Sequence, residues 1–490
     1  MHGIRYLLCC ALLTSACAGT PPQEEKQDKK VEAVPAAPAN PYPSTYQAAA
    51  STATLIRGAT VLTGTGTRLD GADVLITNGR IEAVGQNLTA PAGARVIDAS
   101  GRWVTPGLID VHSHLGVYAS PGVNASGDGN EATDPVTANV WAEHGVWPQD
   151  PGFETALEGG ITSLQILPGS ANLIGGRGVT LKNVAATSYQ AMKFPNAPQG
   201  LKMACGENPK RVYGGQMRAP STRMGNVAGY RQAFADAQDY REQWNKYERD
   251  FAAYQKKHAD KSKGKKDGDD ADEPPTPPKR DLKSETLVAA MNGDILVHIH
   301  CYRSDEMSIM LDLSKEFGFK ISTFHHAIEA YKIADKLAAN GVCGAEWADW
   351  WGGKMEMFDG IQENIALTDL PKGGCAIVHS DSDEGIQRLN QEAAKAMSRG
   401  NRAGLNITPE HAIRWLTANP ARALGVDQQT GTLEPGKMAD VVIWNGTPFS
   451  VYALAEQVFV DGVLEFDRAH PSPQPRSDFL LGQPSAGVQP

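Results

Sequence analysis

Residues 105–114 read Thr105-Pro106-Gly107-Leu108-Ile109-Asp110-Val111-His112-Ser113-His114. An apolar run of strand length ends in two histidines at i and i+2, and side chains two apart on a strand share a face. Side by side at a strand end, two neutral imidazoles favour a shared cation, so this pair points to a metal site more than to packing. Seven more runs of strand length follow at 161–167, 178–181, 201–205, 295–300, 320–325, 341–344 and 375–381, with helix-like stretches among them. Eight strands interleaved with helices predict an α/β fold, a (β/α)8 barrel of the TIM type, whose chemistry gathers at the C-terminal strand ends. His300 closes the fifth run, His326 follows the sixth and Asp381 closes the eighth. The other histidines near these ends, His298, His325 and His379, together with His144, carry the ordinary expectation of a hydrogen-bonded supporting role.

The barrel is expected over 105–430. Short strand patterns flank it, with Asn78-Gly79 as a hairpin turn on one side and the run Ala439-Asp440-Val441-Val442-Ile443-Trp444 on the other. Residues 51–104 and 431–470 therefore predict one small β-sandwich domain built from both ends. Residues 240–284 are charged and low in complexity, beginning as a helix (240–258) and continuing as a Lys, Asp and Pro-rich loop, which reads as a solvated insertion and a candidate lid.

The first 17 residues combine Arg5, an apolar run and Thr14-Ser15-Ala16-Cys17, the pattern of a secretory leader with a lipidated cysteine. Residues 18–50 then read as a disordered tether, and 471–490 as a flexible tail. The expected location is outside the cytoplasm, on the periplasmic side of a bacterial membrane, with the membrane met only through that anchor. Across all 490 residues the formal charge is -10, which excludes general nucleic-acid binding. Cys205, Cys301, Cys343 and Cys375 are widely spaced in apolar surroundings and read as buried thiols rather than disulfides.

Three segments carry a family resemblance: 106–114 above, Gly200-Leu201-Lys202-Met203-Ala204-Cys205-Gly206-Glu207-Asn208-Pro209-Lys210-Arg211, and 418–440 with Asn419-Pro420-Ala421-Arg422 and Gly431-Thr432-Leu433-Glu434-Pro435-Gly436. With them the chain resembles the amidohydrolase superfamily, in particular its imidazolonepropionase-like and Xaa-Pro dipeptidase-like branch. The resemblance implies metal ligation by His112, His114, His300 and His326, with Asp381 as both ligand and proton shuttle. At the fourth strand it implies either a carbamylated Lys202 bridging two metals or a glutamate. Glu207 is preferred, since the strand is expected to end near it and Lys202 would lie five residues deeper. The implied cofactor is a divalent metal, Zn2+ foremost, as one or two ions.

The Gly-rich stretch 167–178 lacks nucleotide-binding spacing, but its N–H groups could face a substrate anion. Arg211, Tyr213, Tyr302 and Arg303, with Trp347, Trp350 and Trp351, fall on the same end of the barrel as candidate substrate contacts. The expected activity is metal-dependent hydrolysis of an amide, peptide or cyclic amide C–N bond in a small molecule, by a homo-oligomer. Deamination of a heterocycle, or a non-catalytic surface lipoprotein that retains the barrel, are the alternatives.

Overall fold

The structure is a computed structural model describing residues 40–261, 273–350 and 352–471. The leader, most of the tether, the centre of the charged insertion, Trp351 and nearly all of the expected tail lie outside the described residues. Of those described, 40–246 and 278–471 form one compact unit that contains the barrel and the β-domain, while 247–261 and 273–277 belong to a second. No described helix is long and apolar enough to cross a membrane.

The β-domain opens with β1 (Thr54–Leu62), β2 (Arg68–Thr77), β3 (Arg80–Gly85), β4 (Arg95–Asp98) and β5 (Trp103–Pro106). The barrel follows as β6 (Leu108–Ser113), β7 (Ile161–Ile166), β8 (Ile174–Lys182), β9 (Gln199–Ala204), β10 (Ile295–His300), β11 (Ile321–His325), β12 (Cys343–Glu346) and β13 (Ala376–Val378). The chain then returns to the β-domain with β14 (Val441–Trp444), β15 (Ala455–Val460) and β16 (Val463–Asp467). β14 pairs with β5, so strands from both ends join one sheet, ordered β16-β15-β14-β5-β1-β2-β3 with β4 also on β1. Ile56, Val61, Val74 and Ile76 from the first half pack with Val441, Ile443 and Phe459 from the second.

The eight barrel strands lie in chain order around one sheet, and the Asp381 N–H donates to the His112 carbonyl at 3.0 Å, joining the segment after β13 to the first strand. One strand departs from the simple repeat, because β8 runs antiparallel to both β7 and β9. The link from β7 to β8 carries no helix, and a parallel return needs a crossover of a dozen or more residues. β8 therefore runs away from the mouth and carries Lys182 to the opposite end of the barrel. There the Lys182 ammonium is fully buried and meets both oxygens of Asp440 at 3.0 Å and Asp461 at 3.1 Å, tying the barrel to the β-domain.

Elsewhere the helices start and stop on ordinary local signals. Asp150 accepts from the Gly152 N–H ahead of Pro151 to open helix Pro151–Glu158, and Gly293, at φ 84°, closes helix Leu282–Asn292.

Three expectations change. The cysteines pair as Cys205–Cys301 and Cys343–Cys375, with Cα separations of 5.2 and 4.6 Å, instead of remaining thiols. The reason is register: Ala204 lies opposite His300, and Gly344 opposite Ala376, so each cysteine adjoins its partner across neighbouring parallel strands. The last part of the expected tether is held, since the Ser44 hydroxyl donates to the Lys193 carbonyl at 2.6 Å and the Tyr46 hydroxyl to Asp461 at 2.5 Å. The expected helix at 240–258 falls inside a longer one, Arg223–Lys261, and it starts on packed residues, for Tyr240 and Trp244 are buried.

Candidate active site

The site is built at the ends of β6, β9, β10, β11 and β13. The ladder between β6 and β7 is irregular from Asp110 to Ser113, and such irregularities re-aim side chains. His112 and His114 emerge there with their Nε2 atoms 3.3 Å apart. Asp381 Oδ1 stands 3.4 Å from the first and 3.0 Å from the second, and Asp381 Oδ2 is 3.7 Å from His326 Nε2. Both His326 and Asp381 take the left-handed backbone region, at φ 57° and 54°, a conformation that non-glycine residues hold at a cost and that clusters at functional sites.

These side chains are oriented from behind. Buried Asp110 accepts from the His112 N–H at 3.0 Å and the Ser380 N–H at 3.3 Å, and it also bonds the Ser380 hydroxyl, fixing the segment that presents Asp381. Burial pushes Asp110 up to about 7. The Leu167 carbonyl accepts from His114 Nδ1 at 2.8 Å, leaving Nε2 as the free lone pair. The Gly-rich link thus turns two carbonyl oxygens toward the cluster, that of Leu167 to His114 and that of Pro168 to Lys202. Its Gly176, at φ 121°, lies so close to Val140 that a Cβ would come within 2.2 Å of that carbonyl oxygen.

His112 Nδ1 continues into a buried line of imidazoles: 2.9 Å to His325 Nδ1, then His325 Nε2 to His298 Nδ1 at 3.0 Å, then His298 Nε2 to the Gln165 carboxamide at 3.3 Å. If His112 Nε2 keeps its lone pair, each ring donates to the next, and turning the Gln165 amide gives its otherwise unpartnered Oε1 the final hydrogen. Burial is the largest influence on these rings. It holds His112, His300, His325 and His326 well below the usual histidine range, His298 at about 3 and His379 at about 4, with Lys202 adding to the effect. Burial also raises Asp381, but its surroundings, His114 foremost and then Lys202 and His379, outweigh it and hold the carboxyl below its ordinary value.

The structure brings Lys202 into this cluster. β9 ends at Ala204, so Lys202 is two residues from the strand end, fully buried, with Nζ 3.3 Å from His112 Nε2 and 3.0 Å from the Pro168 carbonyl. Burial lowers its pKa to about 7. Glu207, for which the strand end was expected, instead opens helix Glu207–Gly214, where its N–H donates to Glu356 at 3.0 Å. His300 lies beside His326, ring centres 4.9 Å apart, with Nδ1 on the Ser170 hydroxyl at 3.1 Å and Nε2 on the Asn208 amide at 3.3 Å. His379 Nε2 sits 2.6 Å from His326 Nδ1, and Trp347 stacks on both rings.

Of the expected substrate contacts, Tyr302 is at the mouth, its ring 4.6 Å from that of His300. Arg211 is exposed on helix Glu207–Gly214. Tyr213 is turned away, donating to the Asp134 carbonyl at 2.8 Å and Asn172 at 2.9 Å, and Arg303 forms an exposed paired contact with Asp305 at 2.9 and 2.8 Å. Sequence reasoning missed Asp110, Asn208 and Lys354; Asp110 stands two residues before His112, in the alternation that singled out the histidine pair, while Asn208 and Lys354 carry no spacing signal.

The donor set suits a divalent cation. Ligands roughly 2.0–2.2 Å from a tetrahedral ion lie roughly 3.3 Å from one another. The edges of the His112, His114 and Asp381 triangle, 3.3, 3.4 and 3.0 Å, match that spacing. Two facing lone pairs and a carboxylate otherwise lack a positive partner beyond Lys202.

A model of the Amidohydrolase family matches residues 103–465. The amidohydrolase tasK of Hapsidospora irregularis is 32% identical over 474 residues, covering 88% of this chain and 45% of that protein. A dihydroorotase of Lactobacillus helveticus is 24% identical over 451 residues, covering 82% of this chain and 96% of the other. This chain spans less than half the length of tasK, and 23% of a second relative, a Geobacter sulfurreducens dihydroorotase. Among solved structures, an amidohydrolase from Thermotoga maritima MSB8 superposes with a TM-score of 0.71 at 35% identity, covering 85% of this chain and all of that one. With the same fold and a family match over residues 103–465, the chain belongs to the amidohydrolase family.

Proposed function

We propose that the protein is an exported, metal-dependent hydrolase of a small molecule's amide, peptide or cyclic amide C–N bond. The observation that carries this reading is the triangle of His112, His114 and Asp381, whose edges of 3.0–3.4 Å suit one coordination sphere. Relatives named amidohydrolase and dihydroorotase support it.

His112, His114, His326 and Asp381 would hold the metal, with His300 completing the set once its ring is released from Asn208. A divalent ion such as Zn2+ supplies Lewis acidity and makes a bound water acidic enough to react near neutral pH. The chain's own residues do the rest. Asp381, 28% exposed and facing the mouth, is ionised and placed to take a proton from the attacking water and return it to the leaving nitrogen. Lys202 replaces Glu207 as the inferred bridging residue. Its burial favours a neutral amine, the form able to condense with carbon dioxide to a carbamate, and its Nζ lies 3.3 Å from His112 Nε2.

Export is supported by the two disulfides, which persist in oxidising compartments. The leader and lipidated Cys17 remain part of the proposal, as does a homo-oligomer.

The test is hydrolysis of a dipeptide and cyclic-amide panel before chelation, after chelation, and after Zn2+ or Mn2+ is restored. Activity should vanish and return. Turnover indifferent to both treatments, or ammonia release from heterocyclic bases with no amide cleavage, would overturn the reading.

A further inference from the structure

A lysine stands at the barrel mouth without a counter-ion. Lys354, on the segment after β12, donates to Asn208 Oδ1 at 2.9 Å and to the Tyr302 hydroxyl at 3.1 Å. Its Nζ lies 5.1 Å from the centre of the Tyr302 ring, and the side chain is half-buried. Among the described residues no carboxylate pairs with it. Glu356, two residues on, is engaged by Arg223 and by the Glu207 N–H. The Glu207 and Asp381 carboxylates act on Lys354 from a distance in one sense and the Arg211 guanidinium in the other, so the ammonium feels carboxylates without being paired to one.

The ammonium is one side chain away from the histidine cluster. Asn208 accepts from Lys354 and donates to His300 Nε2 at 3.3 Å, while the Tyr302 ring lies 4.6 Å from His300 and 6.1 Å from His326. An ammonium has three N–H groups, and two are taken by neutral partners. Partial burial makes an unbalanced charge costly until an anion completes it.

We propose that Lys354, with the Tyr302 hydroxyl, forms a carboxylate subsite, so that the substrate is an N-acylated amino acid or dipeptide whose carboxylate lies a short span from the scissile C–N bond. This rests on the hydrolase reading above and narrows it. A single ammonium with one open N–H, walled by an aromatic ring, suits a carboxylate better than a phosphate dianion, which calls for more donors. The lysine is a specificity determinant, and Asn208 ties its position to that of His300.

The test uses the metal-loaded full chain and two probes that differ only in their charge, N-acetyl-L-leucine and N-acetyl-L-leucinamide. Calorimetric affinity is measured for wild type, Lys354→Met and Lys354→Arg, and hydrolysis is followed in parallel. Wild type should bind the carboxylate about 10-fold or more tightly than the carboxamide, the span of one charge-assisted hydrogen bond. Lys354→Met should erase that preference, Lys354→Arg should keep most of it, and carboxamide affinity should be the same in all three. Equal or undetectable binding of the two probes by wild type, or a preference that survives in Lys354→Met, would overturn the proposal. If the preference follows Lys354 but neither probe is cleaved, the subsite stands and it is the hydrolase reading that fails for this bond.

Discussion

Removing the disulfides tests how much of the barrel's stability is held in two covalent links between neighbouring strands. Cys205 and Cys301 are 96 residues apart in sequence, Cys343 and Cys375 only 32. Loop-closure entropy returned to the unfolded chain corresponds to about 4.7 kcal/mol for the longer loop and about 3.7 kcal/mol for the shorter at room temperature. The loops do not overlap, so their contributions should be close to independent. The perturbation is a pair of double variants, Cys205→Ala with Cys301→Ala and Cys343→Ala with Cys375→Ala. All four cysteines are buried, so each variant also loses similar packing around sulfur, and that shared loss cancels when the variants are compared. Guanidinium unfolding should show both well below wild type, the first by about 1 kcal/mol more. A second readout separates them further. Cys205 follows the Lys202 strand and Cys301 follows His300, so only the first variant should bind Zn2+ more weakly. Variants as stable as wild type, or the shorter loop costing clearly more, would refute the entropic reasoning.

Asp381→Asn should retain most of its metal while turnover falls by roughly 10²–10⁴-fold, the usual worth of a positioned acid–base group; metal analysis showing ligand loss would instead assign Asp381 mainly to coordination. Lys202→Met should lower metal content per chain and Glu207→Gln should not, as measured by elemental analysis; the reverse would restore Glu207 as the bridging residue. Lys182→Met leaves Asp440 and Asp461 buried without their cation and should cost about 3–5 kcal/mol in denaturant unfolding. Its pH dependence has a defined sign. Burial and the Asp440 charge hold Asp461 above its ordinary value, so in the folded state it binds a proton that the unfolded chain has already released, and stability falls as pH rises through that window. The variant's deficit should therefore shrink as the pH is lowered, and a deficit that grows on acidification would contradict the buried-pair account.

What could be read from the sequence follows a physical division between local and register-dependent information. The His112, His114 pair, the histidines after the fifth and sixth strands and Asp381 were legible because each sits at the end of its own apolar run, and a strand's end is where a barrel exposes polar groups. All eight strands appear where those runs lie. The reversal of β8 could have been read as well, since the stretch between β7 and β8 is too short for a crossover. The disulfides could not, because what places Cys205 beside Cys301 is the pairing of Ala204 with His300, a register that no spacing along the chain reveals. The choice between Lys202 and Glu207 turned on the same limit: extending β9 by three residues, to Glu207, buries Lys202 out of reach, whereas ending it at Ala204 puts the lysine against His112. Lys354 lay furthest from view, as a lone lysine on a loop whose meaning comes wholly from Asn208, in the helix after β9, and Tyr302, just after β10. Residues that hold a metal announce themselves by repetition at strand ends, while residues that select a substrate do so only once the loops have been closed over them. That difference is why the proposed metal site has a trace in the sequence, and the proposed carboxylate subsite has one only in the fold.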